Sequence, residues 1–348
     1  MEFRRILIRA TNWVGDAVMC LPAMAAVRAR FPEAHITLLA RPWVAGIYDN
    51  SLVDDVIAYD LARGPRDLRA KRKLARELQS MQFDCAILFQ NAFEAAALVW
   101  MAQIPARIGY ARDGRELLLT DPIAAPGKDE IPEHQRFYYL EMLRRAGLIE
   151  RIPECEAIRV PGVEYLRVHG RKMLRDRGGN GDWIGVSPGA AYGTAKRWLP
   201  ERFAEAAIDL ARQCDAGVAL FGSPDEKELC EKVRGIVSGA DVKTINFAGT
   251  AKLDEFVAMA SACTAFLTND SGAMHVASAV GVPTVAVFGA TDHIATGPTG
   301  PLASIVREPV DCSPCLLREC PTDHRCMKAV ESSRVAEEAW RLVQISQS

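Results

Sequence analysis

No apolar run in this 348-residue chain is long enough to span a bilayer without interruption. The longest candidate, Gly272 to Gly289, is broken by His275, Gly281 and Pro283, and reads as helix, turn and strand. An excess of either charge is missing too. With 42 Lys and Arg against 44 Asp and Glu, the formal net charge is −2, which argues against a general nucleic-acid binder. Two phosphate-binding fingerprints are absent. The turn Ala10-Thr11-Asn12-Trp13-Val14-Gly15-Asp16 holds one glycine where a dinucleotide site needs three. Gly193-Thr194-Ala195-Lys196 has neither the spacing nor the hydroxyl residue of a P-loop. At the N-terminus Arg9, Asn12 and Asp16 end any leader-like apolar stretch, so a cytoplasmic location is expected.

What is present is a repeated alternation of strands and helices. Strand-like runs at Arg5–Arg9, His35–Ala40, Asp55–Tyr59, Asp84–Phe89 and Arg107–Tyr110 are separated by helical patterns at Ala17–Arg30, Leu68–Met81 and Phe93–Met101. A second set follows at Trp183–Ser187, Gly217–Phe221, Lys243–Phe247, Ala265–Thr268 and Thr284–Phe288, again with helices between. Strands that are continuously apolar, with intervening helices, indicate parallel sheets covered on both faces. A chain of this length suits two such α/β domains, each doubly wound, with ligands beyond the carboxyl ends of the strands. The expected domains are 1–160 and 161–330, with a C-terminal helix in 331–348 packing back on the first domain.

Several segments carry chemistry. Phe266-Leu267-Thr268-Asn269-Asp270-Ser271-Gly272-Ala273-Met274-His275 runs from a strand straight into a helix, so unpaired amides and a helix dipole converge where an anion can bind. Capping by Ser271 or Asp270 explains the same pattern structurally. Asp16 follows the first strand and can act as a general base, or simply favour a helix N-terminus. In Ser187-Pro188-Gly189-Ala190-Ala191-Tyr192-Gly193-Thr194-Ala195-Lys196, small residues admit a ligand to the backbone and Lys196 offers charge to a leaving diphosphate. Ser223 and Glu226 have capping-box spacing; Glu226 can alternatively accept from ribose hydroxyls. Arg63 to Arg76 holds seven basic residues against Asp67 alone, a solvated face or an anion-attracting patch. Cys312, Cys315, Cys320 and Cys326, with His324, approach metal-ligand spacing, but their gaps are shorter than in common zinc motifs, and reduced thiols are expected.

Together, Arg5-Ile6-Leu7-Ile8-Arg9 with Trp13-Val14-Gly15-Asp16, Ser187-Pro188-Gly189-Ala190 with Lys196-Arg197-Trp198-Leu199-Pro200, and Asn269-Asp270-Ser271-Gly272 with His275 and Gly281-Val282-Pro283-Thr284 resemble the family-9 glycosyltransferases. These are the ADP-heptose:lipopolysaccharide heptosyltransferases. The Asn-Trp-Val-Gly-Asp turn and the Cys-rich segment look most like the heptosyltransferase II branch. The resemblance implies a GT-B fold and an inverting transfer from ADP-heptose that requires no metal or other cofactor. The acceptor would be the first heptose of the inner core, with Kdo or another core heptose as the alternative. A nucleotide-dependent α/β oxidoreductase is the more distant alternative, disfavoured by the missing glycines. By the same resemblance Asp16 is the base and Lys196 binds the diphosphate. Ser187, Gly189, Ser271, Gly272 and His275 line the donor, and Glu226 meets the ribose. Asp270 is expected to hold sugar hydroxyls or fix its loop, since a carboxylate repels diphosphate. Ala191 and Tyr192 stand where some relatives carry hydroxyls. Asn12, Trp13, Arg63, Arg66 and Arg69, with Arg107, Arg112 and Arg115 able to add charge, are expected to meet a lipid A–Kdo–heptose acceptor at the inner membrane surface, with no nucleic-acid partner.

Overall fold

Strands that are apolar on both faces need cover on both, and each half of the chain supplies it with its own helices. The structure, a computed structural model, describes residues 2–48, 51–62 and 66–348. It divides into two units, Met1–Cys155 and Glu156–Ser348.

In chain order the first unit contains β1 (Arg5–Arg9), α1 (Val14–Met19), α2 (Leu21–Arg30), β2 (His35–Ala40), α3 (Pro42–Ala45), β3 (Asp55–Ala58) and α4 (Leu68–Ser80). It continues with β4 (Cys85–Leu88), α5 (Phe93–Met101), β5 (Ala106–Tyr110), β6 (Asp121–Ile123) and α6 (Gln135–Arg145). The sheet order is β3-β2-β1-β4-β5-β6, with every neighbouring pair parallel. The order reverses between β1 and β4, so the turn after β1 lies at a switch point, where ligands of such sheets bind. The sequence pattern suggests one helix over Ala17–Arg30, but it breaks at Cys20. Pro22 occupies the first turn of α2, where its missing N–H is tolerated.

The second unit contains α7 (Val163–Gly178), β7 (Asp182–Ser187), α8 (Pro200–Cys214), β8 (Ala216–Leu220), α9 (Lys227–Gly239), β9 (Thr244–Asn246) and α10 (Leu253–Ser261). Then come β10 (Ala265–Asn269), α11 (Gly272–Ala279), β11 (Thr284–Phe288), α12 (His293–Thr296), β12 (Ala303–Arg307), α13 (Arg325–Lys328) and α14 (Ser332–Gln347). Its order, β12-β11-β10-β7-β8-β9, is again fully parallel, with the reversal between β10 and β7. The turns after these two strands carry the Asn269–Ser271 and Pro188–Gly189 segments.

The expected packing of the C-terminal helix on the first domain is corrected. Val335, Ala336, Ala339, Leu342 and Val343 of α14 join the core built on β7, β10, β11 and α8, inside the second unit. Two alanines on that face let α14 approach α8 closely, and its apolar stripe is consumed there.

Candidate active site

In the second unit the site is assembled around Asn269, the last residue of β10. Its side chain is fully buried; Oδ1 accepts from the Trp198 backbone N–H at 2.8 Å, and Nδ2 donates to the carbonyls of Pro188 at 2.7 Å and Gly189 at 3.3 Å. One amide therefore fixes the β7 turn and the loop after Lys196 against β10. The motif places Asn269 in the sequence, but no local pattern reveals this role, because its partners lie on distant loops.

Lys196 reaches across the same edge. Its Nζ lies 2.7 Å from Asp270 Oδ2, with side chains 13% and 4% exposed, and 4.9 Å from the centre of the Tyr192 ring. The Thr291 hydroxyl also donates to Asp270 Oδ2. Asp270 thus supplies the counter-charge that makes a nearly buried ammonium tolerable. Beside it, Ser271 occupies the N-cap position of α11, but its side chain makes no capping bond; its Oγ lies 3.2 Å from Thr268 Oγ1. The first-turn amides of α11 therefore have no side-chain cap, which suits them to an anion. His275 is buried within α11, and Ser187 is buried at the end of β7.

Glu226 is engaged in the cap reading of its sequence, with Oε2 accepting the Ser223 N–H at 2.9 Å. Its carboxyl group also lies directly against Gly189, where a Cβ would stand 2.1 Å from Oε1. Glycine is needed there to let the β7 turn and the carboxylate meet.

The Cys-rich segment lies against the lysine loop. Among the described residues no three His, Cys, Asp or Glu side chains are arranged to hold a metal ion, and Cys312, Cys315, Cys320 and Cys326 are all free. The segment braces that loop. Ala195 N–H donates to Arg318 O at 2.9 Å, His324 Nε2 lies 3.0 Å from Ala195 O, and Leu316 N–H donates to Ala290 O at 2.7 Å. A Cβ at Gly193 would stand 2.2 Å from Arg318 O, so the brace requires glycine there.

In the first unit Asp16 lies in the first turn of α1, half-buried. Its charge is felt by three buried neutral groups, Cys20, Tyr48 and Tyr139, whose pKa values are pushed well up, first by burial and further by Asp16. Trp13 precedes it, half exposed, and Trp43 donates its indole N–H to Asn12 O at 2.9 Å. Asn12 Oδ1 accepts from Arg9 at 2.8 Å. Arg9 and Arg41, both buried, lie 5.1 and 4.7 Å from the centre of the Tyr59 ring. Burial is the main cause holding Arg9 below the usual arginine range, with Arg41 adding to it. A charged residue directly after the apolar Ile6-Leu7-Ile8 run of β1 was the available sequence signal for this cluster.

Arg66 and Arg69 are exposed at the start of α4, and Arg63 lies outside the described residues. Arg112 is exposed, but Arg115 contradicts its expected place in the basic patch. It is fully buried, donating to Tyr110 O at 2.8 Å, to Asn91 Oδ1 at 2.7 Å and to Gln90 O. Its fork satisfies loop carbonyls, which makes it a structural residue. Lys71, also in the patch, is buried and lies 3.4 Å from Glu94.

Several known proteins resemble this chain. Residues 71–325 match the model of glycosyltransferase family 9 (heptosyltransferase). The lipooligosaccharide heptosyltransferase 2 of Haemophilus influenzae is 32% identical over 312 residues, covering 87% of this chain and 88% of that protein. The lipopolysaccharide heptosyltransferase 2 of Escherichia coli is 30% identical over 312 residues, with the same coverage. The solved structure of E. coli ADP-heptose lps heptosyltransferase II superposes with a TM-score of 0.81 at 26% identity, over 99% of this chain and 100% of that one. E. coli heptosyltransferase WaaC with ADP shares the fold, with a TM-score of 0.73 at 18% identity over 97% and 99% of the two chains. The two doubly wound sheets are those of the GT-B class. The chain belongs to glycosyltransferase family 9, the heptosyltransferases.

Proposed function

We propose that this enzyme transfers L-glycero-D-manno-heptose, with inversion, from ADP-heptose to the first heptose of the lipopolysaccharide inner core. The observation that carries the donor reading is the meeting of Lys196, Asp270 and the uncapped first turn of α11 at one sheet edge. The relatives named heptosyltransferase 2 support the sugar and the acceptor.

On donor binding the diphosphate, more highly charged than a carboxylate, competes with Asp270 for Lys196. Lys196 and the α11 amides then stabilise the charge that grows on the departing ADP, the task a divalent cation would otherwise perform. Asp270, released from the ammonium, accepts from sugar hydroxyls and so avoids facing phosphate. Ser187, Gly189, Ser271, Gly272 and His275 complete the donor site, and Glu226 retains Oε1 for the ribose. Asp16 removes the proton from the acceptor hydroxyl as it attacks the anomeric carbon, and the C–O bond to diphosphate breaks. Asn12 and Trp13 orient the acceptor sugar, and Arg66 and Arg69, together with Arg63, attract the anionic lipid A–Kdo core from the inner membrane surface.

Asp16→Asn is expected to lower turnover by about a hundredfold to ten-thousandfold with ADP-heptose binding retained. Near-normal turnover would remove Asp16 as the base. Lys196→Ala should raise KM for the donor and lower kcat together, because the contact acts in both ground and transition states. Linkage analysis of the product made on defined acceptors decides between the first heptose and Kdo as the site of transfer.

A further inference from the structure

The later part of the basic stretch, on α4 of the first unit, is set apart from the carboxyl edge that carries Asp16. Between α4 and α5 lies a groove of about 630 Å³ whose lining includes Arg72, Arg76, Arg107, Trp100, Met101 and Gln79. Both helices follow strands of the parallel sheet and run back against them. Gln79, Trp100 and Met101 stand near the helices' C-terminal ends, so the groove is displaced away from the strands' carboxyl ends.

The cations in the groove differ in freedom. Arg107 is anchored, with Nε donating to Leu118 O at 2.7 Å and Nη1 to Ile104 O at 2.5 Å. Arg72 and Arg76 are exposed, one turn apart on α4. None of the described lining residues is acidic. A solvated helix face mixes signs, as Lys73 and Glu77 do nearby at 3.8 Å. The groove instead sets guanidinium groups beside an indole that is 52% exposed and a thioether. Leu74, Ala75 and Leu78 of α4 pack into the core, with Ala75 also at the groove floor, whereas Arg72 and Arg76 project outside that core.

Guanidinium suits a phosphate, and an indole next to it suits the amphipathic boundary where a phosphate is carried on an apolar body. Inorganic phosphate would make no use of Trp100 and Met101. We propose that this groove docks the headgroup of an anionic phospholipid, with Arg72 and Arg76 at the phosphate and Trp100 at the glycerol level. Arg66 and Arg69, at the other end of α4, then face the saccharide of a membrane-borne acceptor. The inference deepens the acceptor reading, but vesicle binding needs no sugar transfer, so the two can fail separately.

The test is co-sedimentation of the full-length protein with vesicles of phosphatidylcholine, alone or mixed with phosphatidylglycerol. Binding is expected only to the mixed vesicles and is expected to fall with salt. Each arginine near an anionic surface contributes enough that Arg72→Gln with Arg76→Gln should weaken binding by about tenfold or more. Trp100→Ala should weaken it severalfold while leaving its salt dependence in place. Arg171→Gln with Arg175→Gln, on α7 of the second unit, should leave it unchanged. An unchanged denaturant-unfolding profile of the first unit in every variant reports intact folding. Equal binding by wild type and the Arg72/Arg76 variant overturns the proposal. So does equal loss in the α7 variant, or wild-type binding to inorganic phosphate or an RNA oligonucleotide without binding to vesicles.

Discussion

At position 269 the required side chain must accept one hydrogen bond and donate two from nearly the same volume, which an amide can do and a carboxylate cannot. Asn269→Asp keeps the shape but turns a donor toward the carbonyls of Pro188 and Gly189 into a buried negative charge. It should destabilise the second unit by roughly 2–4 kcal/mol and weaken ADP binding, measured by denaturant unfolding and calorimetric titration. No change in either would remove the bracing role of Asn269. The cysteines make a separate case. Cys320 is held below the usual thiol range by hydrogen bonds from the Thr322 hydroxyl and nearby backbone, whereas burial pushes Cys230 up to about 12 and Cys263 likewise. The thiolate is the reactive form, so alkylation followed by mass spectrometry at mildly alkaline pH should modify Cys320 well before Cys230 or Cys263. Comparable rates at the three sites would contradict this picture of the Cys-rich brace.

At the level of elements, α14 shows how burial decides an address that sequence leaves open. Leu342 is 1% exposed within the second core, so Leu342→Ala should cost about 2–5 kcal/mol and lower the unfolding midpoint of the second unit. A cost below about 1 kcal/mol, within the range of surface substitutions, would mean that the helix is not part of that core. In α6, Glu141 is nearly buried and holds Arg144 and Arg145 at 2.7 Å each, which keeps its carboxyl below the ordinary glutamate range. A depressed carboxyl contributes stability above its unfolded pKa and loses it as pH falls through the folded one. Glu141→Gln should therefore destabilise the first unit at neutral pH, and the difference from wild type should shrink in acid. The long apolar strands and the helices between them were legible because both faces of a parallel sheet are buried. The short edge strands β6 and β12 escaped notice: three residues of β6, one of them proline, carry little periodic signal, and β12 is only half-buried. The anion-presenting turns were legible from their small and polar residues. The Lys196–Asp270 pair and the burial of Arg115 were not, since each depends on loops brought together by the fold.

On the scale of the whole molecule, two sheets with reversed strand order offer two separate ligand edges, and their chemistry differs. The second unit gathers Lys196, Asp270, Asn269 and Glu226 with a helix N-terminus, a set suited to a nucleoside diphosphate. The first unit gathers Asp16 with neutral Cys20, Tyr48 and Tyr139, and it carries the exposed α4 cations, a set suited to a hydroxyl on an anionic acceptor. If the labour is divided this way, ADP alone should stabilise the second unit, because a ligand stabilises the folded form of what it binds. Hydrogen exchange with ADP should then slow in the segments 187–196, 222–226, 269–275 and 289–291, whose loops are braced on one another, with a much smaller effect on the Asp16 turn. Asp16→Asn should leave that protection pattern intact even as turnover collapses, while Lys196→Ala should shrink it. Loss of the pattern in Asp16→Asn would mean that Asp16 helps build the donor site, and its assignment to the acceptor hydroxyl would have to be abandoned.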